Sequence, residues 1–421
     1  MARTRTNFQV QALYVSTSPA TGTMFSYGPT GVPTYILSEA TGYLGSTGIA
    51  TSNAVFQSQL TTGIYQLNRI QSAGYNFSVS RTPVQQFGQL NAIDYVIMNS
   101  PVAALNFNYI QSSLWNEKKL GLVCDGSVGA LSGILNKTED EKNYFLLTDP
   151  EGQDAVGNLT SNSNVAVMGI GNGFMTSYST QGSVGNFPTV SVNVEGLNMS
   201  FQSTRSGITP ALNPVNGRVW NVTNSNGTFP FRYVIPAAAT DIGTGNLAIS
   251  ALRPGDITVT LYKRDAEGEG ILTNATGVFD VPGVMISDAK IQSYNIGFDL
   301  SREAIQQLGS RFAISREPNF PVSISMSLEA IVGDLTTGNL SDIINCDDAY
   351  DITVKLNKPQ TCTDFSNVTI AQYNIRNAKF NGVSYSDSIG SNRSASLNFT
   401  SEIGGPSTTT AGLFISGIYS N

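Results

Sequence analysis

The chain repeats itself. Setting residues 69–93 over residues 290–314, an offset of 221, gives identity at 11 of 25 positions, where unrelated sequences of ordinary composition give roughly two. Ile70-Gln71-Ser72 recurs as Ile291-Gln292-Ser293, Phe77 as Phe298, Ser80-Arg81 as Ser301-Arg302, Gln85-Gln86 as Gln306-Gln307, Gly88 as Gly309 and Ala92-Ile93 as Ala313-Ile314. Whatever fold this chain adopts must build the same local structure twice.

The physical pattern repeats with the letters. Tyr75, Phe77 and Val79 alternate with polar residues, as Ile296, Phe298 and Leu300 do; period two means a strand with one buried face. Thr82 as a cap before Pro83, and Ser301 as a cap with Glu303 in the first turn, predict a short helix after each strand, stopped by Gly88 and Gly309. A second strand follows, with Ala103, Leu105, Phe107 and Tyr109 on one face, matched after a two-residue slip by Val322, Ile324, Met326 and Leu328. Pro101 and Pro321 stand near its start, where a missing donor is tolerated.

Further on the match continues at an offset of about 205. Tyr144 faces Tyr350, Ile170 faces Ile375, Asn172 faces Asn377, and the alternating Val190, Val192 and Val194 face Ala395, Leu397 and Phe399. The first copy carries some 14 extra residues between Ile110 and Tyr144, and within them Leu114 to Leu120 predicts a short helix ended by Gly121. Asn172-Gly173 predicts a hairpin turn. Two β-rich domains result, residues 1–200 and 201–421, parted by a polar stretch rich in turn formers around residues 200–217. Ile257 to Leu261, entered through Pro254-Gly255-Asp256, reads as a strand at the front of the second, while residues 10–62 show no counterpart there.

Composition removes most chemistry. There is no histidine among the 421 residues, which excludes Ser-His-Asp and Cys-His catalysis and imidazole metal ligation. Cys124, Cys346 and Cys362 form no CxxC pair and read as reduced thiols. Gly169 to Gly173 lacks the spacing and following helix of a nucleotide loop. The acids Asp342, Asp347, Asp348 and Asp351, and Glu267 with Glu269, lack the alternation of an EF-hand. No cofactor, metal or catalytic group is expected. Sequons such as those at Asn76, Asn158, Asn221, Asn226 and Asn274 follow from a composition rich in Ser, Thr and Asn. Neither a secretory leader nor a run of about 18 apolar residues is visible. A net charge of −7 argues against a surface that grips nucleic acid.

The run IQSAGYNFSVSRTPVQQFGQLNAIDYVI, a strand opening at Pro101 and then NEKKLGL resemble the tail tube (major tail) proteins of tailed bacteriophages, directly over residues 65–122 and elsewhere only through the repeat. The resemblance implies a mainly β fold: two tandem tail-tube-like β-sandwich domains, each with a short flanking helix. It implies six such domains per ring, hence three copies of a two-domain chain, stacked into a tube that conducts DNA at infection. The implied partners are other copies of the chain, other tail proteins and DNA passing without specific binding. No membrane is involved; the site of action is the virion tail, assembled in the host bacterial cytoplasm. Lumen-facing positions are expected to carry few basic residues, since lysines along the bore would trap phosphate. Arg81, Gln85, Gln86, Phe87, Gly88, Trp115, Arg302, Gln306, Gln307, Leu308 and Gly309 are the candidate contacts between domains or rings. Two other readings stay open: a tandem β-sandwich that binds or decorates a virion or cell surface, and a histidine-free tailspike glycosidase using paired carboxylates.

Overall fold

A computed structural model describes residues 11–17, 64–149, 165–213, 251–264, 289–332, 348–360, 368–388 and 392–419, with short strand pairs between them. The first strand set comprises β1 (Gln11–Thr17), β2 (Ile64–Gln66), β3 (Ile70–Ser78), β4 (Thr82–Val84), β5 (Asp94–Val96), β6 (Val102–Ile110), β7 (Glu141–Thr148), β8 (Ala166–Ser183), β9 (Thr189–Gly196) and β10 (Asn198–Gln202). The second comprises β11 (Ile257–Arg264), β12 (Gly270–Leu272), β13 (Ala289–Asp299), β14 (Arg302–Ile305), β15 (Ser315–Pro318), β16 (Val322–Val332), β17 (Ala349–Asn357), β18 (Thr369–Ser386), β19 (Ser394–Ile403) and β20 (Gly412–Gly417). Two helices, α1 (Trp115–Leu120) and α2 (Ser132–Leu135), lie between β6 and β7.

The protein is mainly β, and a 16-stranded sheet runs through both sets. Within the first set the antiparallel neighbours run β2-β1-β7-β8-β9-β6-β3, with β10 on the free border of the N-terminal half of β8. The second runs β12-β11-β17-β18-β19-β16-β13, with β20 on the corresponding border of β18. Register agrees as well as order. Phe107 pairs with Val192 as Leu328 pairs with Leu397, and Asn76 pairs with Ala104 as Gly297 pairs with Ser325.

Irregularities recur at the same places, which a shared strand order alone does not require. The ladder of β3 with β6 slips between Ile70 and Ser72, and that of β13 with β16 between Ile291 and Ser293. The repeated Ile-Gln-Ser motif is thus a bulge. Its glutamine leaves the ladder and donates to a backbone carbonyl, Gln71 to Arg69 and Gln292 to Lys290, both at 3.1 Å. Asn172 and Asn377 take left-handed φ values of 53° and 54°, a region asparagine tolerates. Each backbone N–H is met by the side chain of a bulged residue on the next strand, Asn143 Oδ1 at 3.1 Å and Asp351 Oδ1 at 2.9 Å. Here the long strands β8 and β18 change partners on one border.

Four expectations are corrected. Residues 82–88 and 302–309 are not helical: Thr82–Val84 pairs with Asp94–Val96, and Arg302–Ile305 with Ser315–Pro318, as two hairpins. Cap signals are local and serve a turn equally well, and the β-branched Thr82 and Val84 find partners in Val96 and Asp94. Gly88 and Gly309 are left-handed as expected, at φ 91° and 87°, but in hairpin loops. A short α-helix therefore accompanies only the first set among the described residues, where α1 ends on Gly121 at φ 101°. Asn172-Gly173 is no turn but the kink inside β8. The two-residue slip is absent, since Phe107 corresponds to Leu328; a period-two pattern cannot register a shift of two. Similarly, Tyr144 corresponds to Ile352 and not Tyr350, each pairing with the equivalent isoleucine, Ile170 or Ile375.

The core follows the alternation. Ala103, Leu105, Phe107 and Tyr109 of β6, and Val322, Ile324, Met326 and Leu328 of β16, are buried in one cluster spanning both sets. A smaller cluster joins Tyr14, Phe145 and Val167 to Ile208, Tyr233 and Ile235. Arg205 also reaches Asp149 at 3.4 Å, with both side chains buried. Arg205, Ile208, Tyr233 and Ile235 thus pack on β1, β7, β8 and the segments that follow β7 and precede β8. Gly171 permits this approach, since a Cβ there would lie 2.1 Å from Pro210 O.

Candidate assembly interface

The two sets meet edge to edge. Beyond its kink, β8 loses β7 and pairs on that border with β13, from Ser177 opposite Asp299 to Ser183 opposite Ser293. Leu300 N–H donates to Thr176 O at 2.7 Å and Val184 N–H to Gln292 O at 2.9 Å, extending the ladder at both ends. On the covered face Tyr178 stacks on Phe298, with centroids 5.4 Å apart and planes at 14°. Thr180 stands opposite Ile296, and all four side chains are buried. Such a seam satisfies strand edges that would otherwise stand open.

Charge fixes the seam beside the ladder. Arg302, whose side chain is 3% exposed, reaches from β14 to Asp140 in the first set, with Nη1 3.0 Å from Oδ2 and Nη2 2.6 Å from Oδ1. Its Nε donates to Met175 O at 3.0 Å, and the guanidinium lies 5.3 Å from the ring centre of Phe174. Arg316 pairs with Glu195, and Lys137 with Glu317 at 2.7 Å. Burial pushes the Asp140 carboxyl up, and the Arg302 guanidinium pulls it back down.

The segment between β6 and β7 clasps the second set. Leu114 N–H donates to Ile418 O at 2.8 Å and Ala130 N–H to Leu413 O at 2.7 Å. Behind the clasp, Glu117 is fully buried and accepts from Tyr109 Oη at 2.8 Å and Tyr178 Oη at 3.3 Å. Tyr178 Oη lies 3.2 Å from Tyr373 Oη of β18, which Gln111 also contacts. Burial raises the Glu117 carboxyl to about 7. The folded chain therefore holds this proton to higher pH than the unfolded chain, whose value is 4.5. The resulting stability is fully present below pH 4.5 and lost as pH rises through 7. Glu117→Gln, which stays neutral, is expected to be the more stable protein at pH 8 by on the order of 3 kcal/mol. Urea melts of both proteins from pH 4.5 to 8 check this; parallel curves would contradict it.

The counterparts of this seam stand open. Residues 380–386 of β18 pair with β19 on one border and with no strand on the other among the described residues. Strand β3, the counterpart of β13, pairs among the described residues only with β6. Phe298 is 3% exposed, but Phe77 is 65% exposed and Tyr75 48%. Val383 and the 42%-exposed Tyr385 replace Tyr178 and Thr180 on the other border.

The sequence-derived contact residues divide accordingly. Arg302 is in the seam. Arg81 is exposed. Gln85, Gln86, Phe87 and Gly88 form the exposed tip of the β4–β5 hairpin, and Gln306, Gln307, Leu308 and Gly309 the tip of β14–β15. Phe87 and Leu308 are fully exposed. Trp115 turns inward, donating Nε1–H to Gln66 O at 3.1 Å and meeting Tyr65 edge-on at 6.0 Å. Sequence reasoning did not single out Asp140, Glu195 or Glu117, because their partners lie more than a hundred residues away or on another element. Asp348 and Asp351 pair with Lys263 and Arg264, each at 2.7 Å. Cys124 is a free, buried thiol. Asp342, Asp347, Glu267, Glu269, Cys346 and Cys362 lie outside the described residues.

No family model and no curated protein matches the chain. Among solved structures, it is similar to a chain of the anti-feeding prophage baseplate, with 13% identity over 35% of this chain and 92% of that one, at a TM-score of 0.22. It is also similar to a chain of the tail of an empty GTA particle, with 15% identity over 35% of this chain and 90% of that one, at a TM-score of 0.19.

Proposed function

We propose that the chain is a non-enzymatic structural subunit of a phage tail tube, closing as a trimer into pseudo-sixfold rings that stack into a DNA-conducting cylinder. On this reading each strand set is one tail-tube-like sandwich domain, with the boundary between Ile235 and Ala251 and not at residue 200. The observation that carries it is the seam between β8 and β13, because the same chain holds both halves of a second seam, unpaired among the described residues. Repeating the internal register places Val383 of one copy opposite Phe77 of the next, Tyr385 opposite Tyr75, and Ser384 opposite Asn76. Apolar side chains then meet on the face covered at the first seam, and polar ones on the other. A head-to-tail contact closes when its rotation does, and a chain holding one internal seam needs three copies for six. The exposed tips at Phe87, Leu90 and Leu308 suit contact with the next ring.

Light scattering on size-exclusion fractions across a concentration series, with negative-stain imaging, tests the reading. Trimers and rings with a central bore are the expected result. Single chains at every concentration and salt would overturn it and favour the surface-binding alternative.

A further inference from the structure

We infer that Arg81 of one chain forms an ion pair with Asp348 of the next, and that this pair sets the direction in which chains join. The inference rests on the ring-forming reading and adds to it the residues that choose the partner edge.

At the internal seam three ion pairs bridge the strand sets: Arg302 with Asp140, Arg316 with Glu195 and Lys137 with Glu317. The registers show what replaces each at the open seam. Arg316 and Glu317 become Tyr95 and Val96 on β5, since Pro83 pairs with Tyr95 as Ala304 pairs with Arg316. Glu195, opposite Phe174, becomes Thr400, opposite Lys379. Two of the three pairs are thereby lost. Arg302 becomes Arg81, and Asp140, two residues before Lys142, becomes Asp348, two residues before Tyr350. Only 13% of the chain is charged, yet this one pair keeps both signs at both ends.

The surroundings fit an approaching guanidinium. Arg81 is exposed, with no acidic partner among the described residues. Asp348 is held by Lys263 at 2.7 Å, with its side chain 22% exposed. Phe380 O stands where Met175 O accepts from Arg302. Lys379 occupies the place of Phe174, so no aromatic face lies under the arriving guanidinium. With Lys263 and Lys379 close by, the Asp348 carboxylate is the group that makes this edge receptive to a cation. Two like edges offer no such match: β3 against β3 brings no Asp348 to Arg81, and β18 against β18 brings no Arg81 to Asp348. Head-to-tail joining is the arrangement that pairs opposite charges.

The test is a charge swap read by light scattering over a dilution series. Arg81→Glu and Asp348→Lys are each expected to raise the concentration needed for trimers at least tenfold, and the double variant to return it to within about threefold of wild type. Asp348→Asn, which adds no charge beside Lys263, is expected to weaken assembly in the same direction if Asp348→Lys does not fold. Wild-type trimers with Arg81→Glu trimers equally stable, or singles that weaken with no recovery in the double variant, would overturn the ion pair alone. A wild-type chain that never associates would overturn the ring-forming reading beneath it.

Discussion

Phe77→Glu is expected to give a chain that folds and melts like wild type but stays single where wild type forms trimers, whereas Phe298→Glu, the same change in the same repeated motif, is expected not to fold. Phe298 stacks on Tyr178 within the chain and is nearly inaccessible. A carboxylate there is buried without a partner, a cost that leaves little of an ordinary stability of about 5–15 kcal/mol. Phe77 occupies the equivalent place at an edge that no strand covers among the described residues. Surface substitutions usually stay within about 0.5 kcal/mol. Its cost falls on association: an aromatic anchor at the centre of an interface contributes about 2 kcal/mol or more, and a charge in its place raises the dissociation constant by on the order of a hundredfold or beyond. Circular dichroism melts and light scattering separate the two effects. If both variants fold and assemble alike, the equivalence of the seams fails.

How much of this was legible beforehand depends on the kind of signal. The repeated Ile-Gln-Ser, Ser-Arg and Gln-Gln motifs locate the copies without aligned relatives, and alternation gives the buried faces of β6, β9, β13, β16 and β19, but not the buried face expected for Tyr75, Phe77 and Val79, which are exposed because no strand covers that edge among the described residues. Identity failed where the fold needs only alternation. Gln11–Thr17 and Ile257–Arg264 hold the same position, pairing Thr17 with Lys142 and Lys263 with Tyr350, yet share no residue at matched positions. Either strand needs only side chains that suit its own pleated neighbours. The hairpins carry helix signals because capping residues act locally and the pairing partner does not. Asn172 looked like a turn because left-handed asparagine is common in turns, and only the neighbouring Asn143 shows that it caps a kink within a strand. The ion pairs were invisible for a simpler reason: Arg302 stands out through the repeat, but Asp140 lies far from it in sequence and alone looks like a solvated charge.

Arg302→Ala is expected to destabilise the folded chain by about 3–5 kcal/mol, the usual cost of removing one member of a buried pair and stranding the other. The geometry places the effect at the upper end for a single side chain, because one guanidinium satisfies both Asp140 oxygens and the Met175 and Arg316 carbonyls. The loss should depend on pH with a defined sign. Burial already raises the Asp140 carboxyl and Arg302 opposes that rise, so without Arg302 the folded value climbs further above the unfolded one. The variant then regains stability as pH falls and Asp140 takes up a proton, and its deficit is largest at neutral pH. Replacing both partners by apolar residues, Arg302→Met with Asp140→Leu, should recover much of the loss, since neither charge is then left buried alone. Denaturant midpoints of the three proteins at pH 5 and pH 8 give the comparison. A single-variant loss below about 1 kcal/mol at pH 8 would mean that the ladder between β8 and β13 holds the two strand sets together without the ion pair, and would remove the ground for expecting its counterpart to govern how chains join.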